Sequence, residues 1–212
     1  MKKDLTELVF ILDRSGSMFS IWDDAAGSFE AFVEEQKQVP GEANLTLAVF
    51  DDRYDEVLQS KTLAEVDGMI VKQYPPRGMT ALLDAVGKTI ATVGERIKNM
   101  PEEDRPEKVA VAIMTDGCEN SSSEYTGEKI KEMIEHQTDK YKWEFFFLGA
   151  NVDAFANGGG MGIPMMNTMN FAATSKGIRC ASKSYSETMT QYRTGQNHNL
   201  SDHDQQVTDG DE

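Results

Sequence analysis

Five oxygen-bearing side chains, spread over three short segments, could share one piece of chemistry. Asp13, Ser15 and Ser17 fall within Asp13-Arg14-Ser15-Gly16-Ser17, Thr80 follows the loop Pro75-Pro76-Arg77-Gly78, and Asp116 sits in Thr115-Asp116-Gly117. Ser15 and Ser17 are two residues apart, and Gly16 permits a tight turn between them, so both hydroxyls can be aimed at one small cation. Thr80 offers a third hydroxyl, and Asp13 and Asp116 offer negative charge. An all-oxygen set suits a hard ion such as Mg2+, whereas zinc and copper favour nitrogen and sulfur. Mg2+ takes six oxygens near octahedral geometry and keeps several waters, which leaves at least one position for water or for an oxygen of a partner.

Each of these residues also has a simpler role open to it. Asp13 or Ser17 could cap a helix, Thr80 could be the N-cap of the helix that follows it, and Asp116 could shape an Asp-Gly turn. The five together point to a site, provided the fold brings them to one place.

The elements around them do so. The apolar run Leu8 to Leu12 ends in Asp13, and a second, Val109 to Met114, ends in Thr115-Asp116. Continuous apolar runs of this kind suit strands buried on both faces of a parallel sheet. Trp22, Ala25, Ala26, Phe29, Phe32 and Val33 recur at helical spacing, and Pro40-Gly41 stops that helix. Leu45 to Phe50, a turn at Asp51-Asp52-Arg53, and Tyr54 to Gln59 predict a hairpin forming an antiparallel edge. Lys61 to Val66 reads as a short helical segment. Ala81 to Ile97, Tyr125 to Gln137 and Ser175 to Tyr192 read as helices, Trp143 to Leu148 and Met169 to Ala172 as strands, and Gly158-Gly159-Gly160 as a loop. Alternating strands and helices predict an α/β fold: a doubly wound, mainly parallel, Rossmann-like sheet with one antiparallel edge strand and helices on both faces. Sites in such sheets lie at the carboxyl ends of the strands, near the switch in strand order, which places Asp13 and Asp116 on one rim. The folded domain is expected over 1–193, with an acidic, disordered tail over 194–212. From Asn199 onward that tail carries Asp202, Asp204, Asp209, Asp211 and Glu212 and no Lys or Arg.

On these residues the chain resembles von Willebrand factor A domains. The D-x-S-x-S run after the first strand, the threonine of Arg77-Gly78-Met79-Thr80-Ala81-Leu82 and the aspartate of Ile113-Met114-Thr115-Asp116-Gly117 are similar to that family's metal-ion-dependent adhesion site, with all five positions occupied. The likeness in organisation runs from about Leu5 to Tyr192. It implies an ion that is Mg2+ or Mn2+, coordinated directly by Ser15 and Ser17, by Thr80 directly or through water, and by Asp13 and Asp116 largely through water. It implies a protein partner whose acidic side chain is the final ligand. The chain looks most like compact stand-alone members of bacteria and their phages.

Charge and composition narrow the partners. A formal net charge of −15 repels phosphate backbones and anionic membrane surfaces, so neither nucleic acid nor membrane is expected. No run approaches the ~20 apolar residues of a membrane span, and Met1-Lys2-Lys3-Asp4 precedes too short an apolar run for a signal peptide. Two cysteines, Cys118 and Cys180, make no disulfide framework. A cytoplasmic protein is expected. Arg14 and Arg77 lie on the rim loops and could pair with an acidic partner, and Glu119 and Asn120 could touch metal-bound waters. His198 and His203 flank Asp202 in what reads as a solvated tail. A phosphatase using Asp13 as nucleophile would place an acid two residues later, where Ser15 stands, so no enzyme is expected. The alternative to a binding module is an assembly scaffold, such as a virion or adaptor component, that does not need the metal.

Overall fold

The computed structural model describes residues 1–150 and 154–200. Six strands form one sheet: β1 (Lys2–Asp13), β2 (Glu42–Phe50), β3 (Tyr54–Thr62), β4 (Pro106–Thr115), β5 (Glu144–Ala150) and β6 (Thr168–Phe171). Their order is β3-β2-β1-β4-β5-β6, and every pairing is parallel except β2 with β3. The helices are α1 (Trp22–Lys37), α2 (Leu82–Asn99), α3 (Gly127–Tyr141), α4 (Ala154–Gly160) and α5 (Ser175–Arg193). The doubly wound sheet with one antiparallel edge is therefore as the apolar runs predict.

Alternate residues of β1 serve two cores, as the period of two requires. Leu8, Phe10 and Leu12 face α1 and α5, whereas Val9 and Ile11 face α2 and α3. Tyr185 of α5 stacks on Phe32 of α1 at 5.3 Å between ring centroids and meets Phe10 and Phe146 edge-on. The strand order reverses between β1 and β4, and their C-terminal ends form the switch point.

Three expectations need correction. Lys61 to Val66 is not helical: β3 continues to Thr62, with Lys61 opposite Leu45, and only Leu63–Glu65 form a 3-10 turn. The periodicity misleads because a register shift breaks the strand, and Ser60, at φ +46°, bonds through its N–H to Thr46 Oγ1. Gly158 to Gly160 end a short helix, α4, instead of forming a loop. A Cβ on Gly158 would stand 3.0 Å from Thr168 Oγ1, so glycine there lets the helix lie close on the sheet.

The third concerns the chain after α5. Arg193 is buried, His198 Nε2 lies 2.6 Å from Glu144 Oε2, and the buried Leu200 donates its N–H to Met166 O. Residues 194–200 thus dock on the body, because Leu200 and the His198 ring cover the edge of the core beside Phe146 and Tyr192. His203 and the acidic residues from Asp202 onward lie outside the described residues.

Candidate metal centre

The first loop follows from the end of β1. Asp13 is fully buried, and its two carboxylate oxygens are held separately. Oδ1 accepts the Ser15 N–H at 2.6 Å and Oδ2 accepts the Thr115 hydroxyl at 2.5 Å. The Ser15 bond bends the chain back at the strand end, as an Asx turn does. Ser15 Oγ lies 3.0 Å from Ser17 Oγ, and Ser17 donates to Asp116 Oδ1 at 2.6 Å. With its proton committed to Asp116, Ser17 accepts the Ser15 hydroxyl on one lone pair and keeps the other for a cation.

Thr80 arrives by a separate route. It does not cap α2: Ala81 is at the N-cap position, without a side-chain bond. The first-turn amides of Leu83 and Asp84 donate instead to Glu119 Oε2 and Ser122 Oγ, from the loop after β4. Asn120 clamps the Thr80 main chain from both sides, its Oδ1 accepting the Thr80 N–H at 2.9 Å and its N–H donating to Thr80 O at 3.0 Å. The Thr80 hydroxyl is left to face the centre. Glu119 also accepts the N–H groups of Ser121 and Ser122. Glu119 and Asn120, expected beside bound water, are used to build the loop.

The convergence is clearest at Gly117. A Cβ placed there would lie 3.2 Å from Thr80 Oγ1, 3.5 Å from Ser17 Oγ and 3.9 Å from Asp13 Oδ2. One point on the third loop thus has oxygens of the other two around it, and glycine keeps it clear. Among the described residues no group of three or more His, Cys, Asp or Glu could hold an ion; this cluster has two carboxylates and relies on neutral hydroxyls. That donor set fits Mg2+ or Mn2+ chemically.

Burial raises both carboxyls. Asp13 is pushed up to about 6, against the opposing bonds from Thr115 and Ser15 and with a further push from the charge of Asp116. Asp116 is raised by burial despite its bond from Ser17. A divalent ion would relieve both, since it favours the charged forms. Apparent metal affinity should therefore climb with pH up to about 6 and then level off, as a Mg2+ titration at several pH values would show.

The two arginines separate. Arg14 is only 4% exposed and is spent inside the chain, on Asp55 and, at 3.2 Å, on the buried Asp51. It cannot reach outward to a partner, because Asp51 and Asp55 claim it from the adjacent hairpin. Arg77 also contacts Asp51, at 2.6 Å through Nε, but remains half exposed. Asp51, which reads from the sequence as a turn residue, is thus a hub; its carbonyl also accepts the Ala81 N–H, tying the threonine loop to the sheet. Sequence reasoning misses Thr115 and Gly117 as well, although both adjoin Asp116.

Gly117→Ala should weaken Mg2+ binding roughly tenfold or more, a methyl replacing the space the oxygens surround, while changing stability in EDTA by less than ~1 kcal/mol. Calorimetric titration beside melts in EDTA would check both halves.

No protein-family model matches this sequence, and no curated protein does. Solved structures match in fold. Proximal thread matrix protein 1 from the mussel byssus, with a zinc-occupied MIDAS motif, superposes with a TM-score of 0.65 at 15% identity, over 87% of this chain and 46% of that one. The vWF domain of the type V pili tip protein Mfa5 from Porphyromonas gingivalis gives 0.61 at 12% identity, over 93% and 98%. The von Willebrand factor type A structure from Catenulispora acidiphila gives 0.58 at 16% identity, over 90% and 42%. This chain spans less than half of the mussel protein chain. A six-stranded sheet of this order, helices on both faces and these likenesses together show that the chain has the von Willebrand factor A-type fold.

Proposed function

We propose that this chain is a divalent-metal-dependent protein-binding module and not an enzyme. The ion is Mg2+ or Mn2+, held by Asp13, Ser15, Ser17, Thr80 and Asp116 at the C-terminal edge of the sheet, and an acidic group of a partner completes it. The observation that carries this reading is the meeting of Thr80 Oγ1, Ser17 Oγ and Asp13 Oδ2 around the open point beside Gly117. When bound, the ion supplies positive charge and a free coordination position at an otherwise acidic rim. The protein's own part is orientation: Thr115 and the Ser15 N–H fix Asp13, Asp116 fixes Ser17, and Asn120 fixes Thr80.

Ser15, bonded to Ser17, stands where a phosphoryl-transfer enzyme would need an acid, which supports binding over catalysis. The net charge of −15 favours a protein partner over nucleic acid or an anionic membrane. Among the described residues no helix is long and apolar enough to cross a membrane. Two free thiols, one exposed, suit the cytoplasm. A partner retained from the native source in Mg2+ and released by EDTA is the expected result. Retention indifferent to EDTA and to Asp13→Asn would overturn the reading.

One observation favours a second reading. The Ser15–Ser17–Asp116 chain satisfies its own hydroxyls, so the fold can stand without the ion. An assembly scaffold would use the fold in this way, and its assembly would survive Asp13→Asn.

A further inference from the structure

The loops around the proposed ion carry exposed apolar side chains that packing does not explain. Phe19, two residues after Ser17, is 79% exposed, although its neighbour Met18 is buried. Met79, directly before Thr80, is 56% exposed. The two loops are joined where the Gly16 N–H donates to Gly78 O at 3.2 Å, so both side chains rise from segments stitched at one seam. Single exposed hydrophobic residues are ordinary on a surface, but two beside one candidate site are not scattered. Phenylalanine is a large apolar anchor, and methionine is a flexible one that adapts to what it meets.

Charge selects what could cover them. Arg77, two residues before Met79, keeps its guanidinium half exposed. A divalent ion, when bound, would neutralise Asp13 and Asp116 and keep a coordination position open on a chain of net charge −15. It therefore attracts a carboxylate, while Phe19 and Met79 offer apolar surface to whatever adjoins that carboxylate.

We propose that Phe19 and Met79 form an apolar shelf beside the metal centre, which receives a large hydrophobic side chain next to the partner's metal-binding carboxylate. The recognised feature is an acidic–apolar pair on a protein segment. This rests on the metal-dependent binding reading above and adds the determinant of specificity. Desolvated apolar anchors at the centre of an interface carry much of its affinity, whereas solvated rim contacts carry little.

The test uses random peptides displayed on phage, selected on the full chain in Mg2+ and eluted with EDTA. Enriched peptides should pair Asp or Glu with an adjacent Phe, Leu, Ile, Met or Trp. A synthetic representative should bind the Phe19→Ser/Met79→Ser variant roughly tenfold or more weakly. The Mg2+ affinity of that variant, measured by calorimetry without peptide, should be unchanged. Acidic peptides with no apolar preference, bound equally by the double variant, would overturn the shelf and leave the metal reading standing. Failure to recover any Mg2+-dependent binder would overturn the metal reading and the shelf with it.

Discussion

Substituting Asp13 by asparagine should change stability in opposite directions with and without a divalent ion. The wild-type carboxyl is buried and pushed up to about 6 from 3.8. Its native state holds the proton more tightly than the unfolded chain does. The associated stability is therefore fully present below pH 3.8 and is lost as pH rises through about 6. At neutral pH in EDTA the wild type carries an uncompensated buried charge worth on the order of 2–3 kcal/mol. Asparagine removes that charge and can keep both contacts, since its carbonyl still accepts the Ser15 N–H and its amide can donate to Thr115 Oγ1. The variant should melt higher than wild type at neutral pH in EDTA, and the two should converge near pH 3.8.

Magnesium reverses the order. An ion at a thousandfold excess over its Kd stabilises by about 4.1 kcal/mol, which exceeds that charge term and is roughly 8–16 °C in Tm for a domain of this size. The variant should show no such shift. Melts across pH in EDTA and in Mg2+ measure both effects. A shift retained by the variant would place the ion elsewhere, and a lower melt in EDTA at neutral pH would mean that Asp13 is not a charge under strain.

Arg193→Met should lower stability by about 3 kcal/mol at constant metal affinity. The Arg193 guanidinium donates to Gln36 O at 2.6 Å and Gln36 Oε1 at 3.1 Å, and it reaches Val39 O and Gly41 O. It thus caps the C-terminal end of α1, where unpaired carbonyls and the helix dipole both favour a cation. Methionine keeps much of the stem's packing but removes the charged donor, leaving Gln36 O only a backbone N–H from Val39 at 3.3 Å, at about 1–3 kcal/mol for each buried bond lost. Gln36 also donates to Ser186 O at 3.0 Å, so the change loosens the seat of α5 against α1. Urea unfolding should show a lower midpoint with an unchanged slope. A loss below ~1 kcal/mol would mean that water replaces the guanidinium.

The frame and the donors of the candidate site are legible in the residue pattern alone. Leu8 to Leu12 and Val109 to Met114 are apolar throughout because both faces of their strands are covered. That pattern is enough to put Asp13 and Asp116 at neighbouring strand ends, where the parallel pairing of β1 with β4 holds them. The types of Ser15, Ser17 and Thr80 fix an all-oxygen site because donor chemistry is local to each side chain.

Where the remaining polar groups are spent depends on the folded chain. Arg14 reads as a rim cation but is taken up by Asp51 and Asp55 of the hairpin. Thr80 reads as a helix cap, yet the amides of α2 are served by Glu119 and Ser122, more than 35 residues further along. His198 reads as part of a loose tail but reaches back to Glu144 at a separation of 54 residues. The reason is common to all three. A hydrophobic pattern marks burial within each segment, whereas a hydrogen bond or ion pair is defined only when its distant partner has been brought into reach.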